Sequence, residues 1–518
     1  MNSAIHLKRL RVSRAWFSAM AVIIIASFAA PVAFAQTGNA NEKLATWVKE
    51  ALIHDQRVDA REVTVDASSG VITLSGILPT IAAKRFAVRE AEKIEGVIAV
   101  VDETRVGAEK RDDVDIATDV EHRLENNASI QSKGLKVTCL DGVVTLSGEV
   151  SDYAEELEAG LVASETRGVR EVHNHLLTVF IGTETDQQVA DEVRATLARD
   201  VYLSGLPLQV AVSRREVTVS GTVGSAFEKS RITDEVKQIA QVKAVANQVA
   251  VDPSLAFGTR RSEPWPSDND LEAAIVTDLA HDARINAAEI KISAEYGMVR
   301  LDGSVGTYRE KRQAELDVRD VVGVVSVANN LTIDGPLCDD ALLQTLITSE
   351  LKSDAMLHRF EIIPHSTAGR VILQGHVDTA YEKTHAADVV GRVRGVIGIQ
   401  NDLEVTREEQ FSDEALDVVI KRRWAQNRQT KECGSEIKVE VLNGVAVLSG
   451  SVGTWSERNA AESVAYHTAG IWKVENRLIL EGVDYPWEDW QKAFDSDPDL
   501  QYDFDPQYSP DHLFLFYV

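Results

Sequence analysis

An alternating apolar segment closed by glycine recurs six times along this chain. It reads GVITLSG ending at Gly76, GVVTLSG at Gly148, EVTVSG at Gly221, GMVRLDG at Gly303, GRVILQG at Gly375 and GVAVLSG at Gly450. The intervals are 72, 73, 82, 72 and 75 residues. A second marker stands twenty residues after each glycine, as Gly96, Gly168, Gln241, Gly323, Gly395 and Gly470. Six residues later comes Asp102, Asn174, Asn247, Asn329, Asn401 or Asn476. Any fold for this chain must therefore build six similar supersecondary units in series.

The segments between the markers predict what each unit contains. Apolar residues at i, i+4 and i+8 precede every motif: Leu44/Val48/Leu52, Ile116/Val120/Leu124, Val189/Val193/Leu197, Leu271/Ile275/Leu279, Leu343/Ile347/Leu351 and Leu416/Ile420/Trp424. That spacing paints one face of a helix. Two alternating segments follow, joined by turns such as Asp141-Gly142 and Asn443-Gly444, so they read as a hairpin. Thr80, Asp152, Ser225, Thr307, Thr379 or Thr454 then opens a second helix, with Glu155, Glu228, Glu310, Glu382 or Glu457 three residues on in five copies and Ala83 in the first. The second glycine is expected to end that helix, and a last strand follows in parallel through a right-handed crossover. The expected fold class is α+β: six tandem α-β-β-α-β units, each a three-stranded mixed sheet covered by two helices.

This pattern resembles the BON domain, a family named for an osmotically inducible periplasmic protein and nodulation-related proteins. The motif glycines, the second glycines and the six-residue step to Asn or Asp carry the resemblance. The expected boundaries are 42–108, 112–182, 185–252, 268–335, 337–407 and 411–483. The third unit departs, with Arg215-Glu216 at its hairpin and Gln241 for the second glycine. A Pro-rich linker at 253–267 accounts for the long interval and divides the chain into three units, a linker and three units.

Both ends differ from the repeats. Lys8, Arg9, Arg11 and Arg14 precede an apolar run and the small-residue step Ala33/Ala35, the pattern of a signal peptide over 1–35. The whole chain carries −27, which disfavours nucleic-acid binding. Residues 485–518 form an aromatic, acidic tail in which Trp487, Trp490, Phe514, Phe516 and Tyr517 are candidate partner-binding residues.

Few residues suggest chemistry. Asp495, Asp497 and Asp499 start like a calcium loop, but Leu500 and Pro506 stand where glycine and glutamate are required. His173 and His175 alternate on a strand, and His358, His365, His376 and His385 crowd the fifth unit without a ligand spacing, so no metal is expected. Cys139 reads as a small buried residue. Cys338 and Cys433 are compatible with a bridge in an oxidising compartment, subject to a distance that sequence does not supply. Lys421, Arg422, Arg423, Arg428 and Lys431 surround Trp424 and form a candidate lipid-contacting patch, although Trp424 occupies a core position. Nucleophile elbows, phosphate loops, zinc-protease motifs and dinucleotide fingerprints do not occur. No enzyme activity and no cofactor are expected.

The family resemblance implies a periplasmic, non-enzymatic binding protein for envelope maintenance or osmotic and stress protection, in contact with anionic phospholipid surfaces. The alternative is an interaction scaffold or chaperone-like adaptor for envelope proteins, working through exposed strand edges or the tail.

Overall fold

The computed structural model describes residues 38–481 except 132, 152, 179–183, 256–265 and 407–410. The expected signal peptide, the core of the linker and the whole aromatic tail lie outside the described residues. Within them the six α-β-β-α-β units are all present.

The leading helices are Gly38–Ile53, Asp113–Asn126, Asp186–Arg199, Asp268–His281, Asp340–Ser353 and Asp413–Gln426. The second, crossover helices are Ile81–Lys93, Tyr153–Ser164, Ala226–Gln238, Tyr308–Arg319, Ala380–Gly391 and Trp455–Tyr466. Each sheet runs first, second, third strand. In repeat 1, Val63–Ser68 pairs antiparallel with Val71–Leu78, which pairs parallel with Ala99–Val106. The same topology recurs in the other five repeats, with breaks in the strands of repeats 3 and 4. Strand burial alternates, so one sheet face packs on the helices and the other faces solvent.

The motif glycine is dictated by the backbone. Gly76 has φ +117°, and a Cβ there would stand 2.0 Å from the Glu62 carbonyl oxygen. Gly303 is the same case against the Glu289 carbonyl oxygen. Only a residue without a side chain fits.

The recurring Asn ties the third strand to the crossover helix. Asn174, Asn247, Asn329 and Asn401 each donate from Nδ2 to a helix carbonyl oxygen eighteen residues back, at 2.6–2.9 Å. Their Oδ1 atoms accept the backbone N–H two residues on. Asp102 cannot donate. In repeat 1 the Lys84 ammonium does so instead, bonding the Thr104 carbonyl oxygen at 2.8 Å and pairing with Asp102 at 3.3 Å.

A second recurring device lies at the hairpins. Asp113 accepts from the backbone N–H groups of Asp141 and Gly142 at 2.8 and 2.9 Å. Asp186, Asp268, Asp340 and Asp413 cap their own hairpins in the same way. In repeat 3 this cap holds Arg214 and Arg215, both at positive φ, so the departing hairpin keeps the common geometry.

One expectation needs correction. The crossover helices do not end at the second glycine. The first ends at Lys93, where Ile94 turns extended, and Gly96, at φ +89°, closes a short turn afterwards. Ile94 is extended because it bridges to Asn427 of repeat 6.

Such bridges organise the whole molecule. Repeat 1 meets repeat 6 at Asp55/Thr468 and Ile94/Asn427, repeat 2 meets repeat 5 at Asn127/Val393 and Thr166/Asp354, and repeat 3 meets repeat 4 at Asp200/Val321 and Ile239/Asp282. In each pair the C-terminus of one leading helix meets the C-terminus of the other repeat's crossover helix, reciprocally. Gln56 N–H donates to the His467 carbonyl oxygen and Ala469 N–H to that of His54. Glu95 N–H donates to the carbonyl oxygen of Gln426, and Arg428 N–H to that of Lys93. Equivalent sets join 2 to 5 and 3 to 4. The first three repeats therefore pair with the last three in reverse order, around a pseudo-two-fold relation. Crossover helices face inward between the pairs: Phe86 stacks edge-on against Tyr381 at 5.2 Å, and Thr384 bonds the Tyr466 hydroxyl at 3.1 Å.

Candidate functional site

The seams hold most of the buried charge. In the 1/6 seam Arg423 is buried and bonds Thr468 Oγ1 at 2.9 Å, the Val464 carbonyl oxygen at 3.2 Å and Glu90 at 3.2 Å, with Asp55 at 3.4 Å. Arg57 grips the same Asp55 through two nitrogens and reaches Glu90 at 2.7 Å. In the 2/5 seam Arg123 pairs with Glu350 at 2.9 Å, the residue at its own position in the partner repeat. In the 3/4 seam the fully buried Arg231 joins Asp200 to Asp320. A buried guanidinium is tolerable only with carboxylates on several sides, and these seams supply them.

The expected lipid patch is largely drawn into this architecture. Arg423 faces the seam. Arg428 is buried against Glu95 at 3.0 Å and bonds the carbonyl oxygens of Pro253 and Leu255, strapping the end of the first half to repeat 6. Lys431 shares Glu95 at 2.7 Å. Lys421 pairs with Asp417 at 2.8 Å, and Arg422 lies 3.7 Å from Glu50; these two remain exposed to solvent. Arg423 and Arg428 are thus closed to a bilayer, because the opposite half covers them. Trp424 is core, its indole N–H donating to the Ala461 carbonyl oxygen at 3.0 Å.

Sequence reasoning did not find one cluster. Glu165, Asp354 and His385 are buried and bring their donor atoms within 4.8 Å of one another across the 2/5 seam. His385 Nε2 lies 3.2 Å from both Asp354 oxygens. Burial alone would raise the Asp354 carboxyl, but His385 and Arg123 more than offset it and hold it well below the usual range. Burial pushes the His385 imidazole down, and Asp354 and Glu165 outweigh that, so it is held protonated above its ordinary value. Arg392 bonds Glu165 directly. Three cations already face the two carboxylates, so the cluster fits an ion-paired knot better than a metal site. Its signal in the sequence was faint, because Glu165 comes from repeat 2 and Asp354 and His385 from repeat 5, about 190 residues or more away.

The other candidates are quickly placed. His173 and His175 stand exposed on the outer sheet face with ring centroids 6.2 Å apart, His173 lying 3.1 Å from Glu171. His376 is exposed beside Glu404 at 3.1 Å. None of the three cysteines is in a disulfide. The Cys338–Cys433 bridge is not formed: Cys433 is buried against the Thr430 carbonyl oxygen, while Cys338 lies against Arg394. Trp487, Trp490, Phe514, Phe516 and Tyr517 lie outside the described residues.

What stays open is the outside. The outer face of each sheet is solvent-exposed, and among the described residues no edge strand pairs with another repeat. Exposed apolar residues mark this surface, including Leu140, Leu442, Leu177 and Trp472. No helix among the described residues is long and apolar enough to cross a membrane.

A family model described as the BON domain matches residues 40–108, 112–179, 185–253, 267–335, 339–407 and 412–482. Osmotically-inducible protein Y of Escherichia coli strain K12 is 33% identical over 138 residues, 25% of this chain and 69% of the relative. Outer membrane lipoprotein DolP of Haemophilus influenzae is 28% identical over 155 residues, 29% of this chain and 78% of the relative. Among solved structures, CdsD, a structural protein of the type III secretion system of Chlamydia trachomatis, is 16% identical, with 43% of this chain and 96% of that one covered. The TM-score is 0.11.

Proposed function

The chain belongs to the BON-domain family, and from that premise we propose that it is a non-enzymatic binding protein of the cell envelope. It works in the periplasm as an interaction scaffold for envelope proteins under osmotic or envelope stress. One observation carries this reading: helices and buried charge are spent on pairing the repeats, while six sheets turn their outer faces and edges outward. Weak contacts at several such edges add through effective concentration, and an edge strand offers unpaired N–H and C=O groups to an extended segment. The names of the two relatives, one osmotically inducible and one an outer membrane lipoprotein, support the compartment and the setting.

Contact with phospholipid is the second reading, and the exposed pair Lys421 and Arg422 favours it. Two experiments separate the readings. The first dilutes a urea-unfolded outer-membrane β-barrel protein into buffer with and without this chain and follows light scattering. Suppression that persists at moderate salt supports the scaffold, and no suppression at equimolar ratio rejects it. The second is co-sedimentation with anionic and neutral vesicles. Binding that is lost at moderate salt and in the Lys421→Glu/Arg422→Glu variant supports lipid contact.

A further inference from the structure

The outer sheet face of repeat 6 combines exposed apolar side chains with cations. Its strands are Lys438–Leu442, Val445–Val452 and Lys473–Leu480. Register sets Leu442, Val445 and Lys473 side by side, then Glu440, Val447 and Glu475, then Lys438, Ser449 and Arg477. These point outward, because the alternate residues Val439, Ala446, Leu448 and Val474 are buried in the core. At the hairpin end Leu442 is 70% and Trp472 42% exposed. The Trp472 indole N–H donates to the Asn443 carbonyl oxygen at 2.8 Å, which holds the ring beside the turn. Lys438, Lys473 and Arg477 outnumber Glu440 and Glu475 on this face, in a chain that carries −27 overall. Glu475 is shared by Arg477 at 2.6 Å and Lys473 at 3.5 Å. Repeat 2 also exposes a leucine at its hairpin, Leu140, but sets Arg170, Glu171 and His175 where repeat 6 has Trp472, Lys473 and Arg477.

The chain leaves repeat 6 from the opposite end of this same sheet. Glu481 N–H still donates to the Val452 carbonyl oxygen at 2.9 Å. Residues 482–518 follow, with nine acidic residues against one lysine, and they begin with Trp487-Glu488-Asp489-Trp490 after Pro486. We propose that this segment folds back on its own chain and occupies the outer face of repeat 6. Trp490 packs on Leu442, Val445 and Trp472, while Glu488 and Asp489 meet Lys438, Lys473 and Arg477. The length fits. Lys473 to Ile479 spans about 20 Å of strand at about 3.3 Å per residue. Trp490 stands nine residues beyond Glu481, about 30 Å of extended chain, which suffices to reverse and return over that distance. The chemistry fits as well: an acidic, aromatic segment meets a face that is cationic and apolar. Tethering makes the contact intramolecular, at an effective concentration of about millimolar, so modest contacts hold it. The face is thereby withdrawn from other partners until the segment is displaced.

Zero-length carbodiimide coupling of the full chain, read by peptide mass spectrometry, tests this, since it joins only carboxylates and amines in contact. Isopeptide bonds from Glu488 or Asp489 to Lys438 or Lys473 are expected, at a yield unchanged by dilution. A mixture of ordinary and isotope-labelled chain should give no mixed pairs. Trp487→Ser/Trp490→Ser and, separately, Leu442→Asp should abolish these links. The Asp417–Lys421 pair, 2.8 Å apart on the leading helix of repeat 6, should couple in the parent and in every variant, which shows that the reagent works and that the repeat is folded. Absence of the segment's links while Asp417–Lys421 forms would overturn the proposal. So would links that survive both variants, links to lysines outside this face, or mixed isotopic pairs, which would place the segment on a second copy.

Discussion

Replacing Arg423 with alanine distinguishes a seam arginine from a surface one. Removing one member of a buried charge cluster costs about 3–5 kcal/mol when the remaining charges are stranded. Here they are only partly stranded. Arg57 still holds Asp55 and Glu90, and Lys93 still reaches Glu90 at 3.0 Å. The group left without its donor is Thr468 Oγ1, which still donates to the Val464 carbonyl oxygen at 2.8 Å. The expected loss therefore sits at the low end, about 3 kcal/mol. It should fall on the 1/6 seam and be read by hydrogen exchange at four amides that cross it: Gln56, Glu95, Arg428 and Ala469. If these exchange by opening of the seam, 3 kcal/mol corresponds to about a hundredfold faster exchange. The equivalent 2/5 amides, Ala128 and Arg394, serve as internal controls. Lys421→Ala, an exposed side chain in a simple i,i+4 pair, should change none of them. Seam exchange within threefold of the parent in Arg423→Ala would refute the reasoning, because Arg423 would then contribute nothing that water does not.

Other outcomes follow from the same geometry. Gly76→Ala should prevent repeat 1 from folding, visible as loss of exchange protection in its hairpin, since the added Cβ meets the Glu62 carbonyl oxygen. Gln241→Gly should stabilise repeat 3 by about 0.5–1 kcal/mol in urea unfolding, because Gln241 sits at φ +74° and its bond to Arg215 recovers only part of that strain. Asp113→Ala should speed amide exchange at Asp141 and Gly142 and leave the seams unchanged. The 3/4 seam should weaken between about pH 4.5 and 8. Glu235 is raised from 4.5 to about 8 and Asp278 from 3.8 to about 6, so the folded state binds more protons than the unfolded one; the stability this gives is complete below the unfolded values and is lost as pH rises through the folded ones. The facing groups are Arg199, Arg231, Arg284, Asp200, Asp282, Asp317, Asp320, His281 and Glu192, the last also raised to about 8 by burial. Glu235→Gln should flatten this slope in urea unfolding measured across the range, and an unchanged slope would count against the assignment.

The repeat itself was legible because its determinants are local. Helical spacing, strand alternation, turn residues and the two glycines each act within about thirty residues, and each recurs at a fixed offset, so six copies confirm one another. The Asn step was equally visible, although its purpose, a strand-to-helix tie, came from the geometry. The hairpin-capping aspartates also recur, 35 residues before the motif glycine for Asp113, Asp186, Asp268 and Asp340, and a comparison of leading helices would have revealed them.

How the repeats pair is a different kind of information. The position seventeen residues after the motif glycine holds Lys93, Glu165, Gln238, Asp320, Arg392 and His467, a different residue in every copy. Read along the chain these are six unrelated polar residues. Glu165 and Arg392 become partners only when repeat 2 is laid against repeat 5, and Arg423 changes from a surface cation to a buried one when repeat 1 covers it. A sequence displays its charges but not which of them neutralise one another, because that depends on contacts hundreds of residues apart. The sequence alone therefore determined the unit, its six copies and their hairpins. The tertiary structure decided the reverse-order pairing, the fate of the basic patch and the ion-paired 3/4 seam, since burial and charge compensation arise only where distant segments meet.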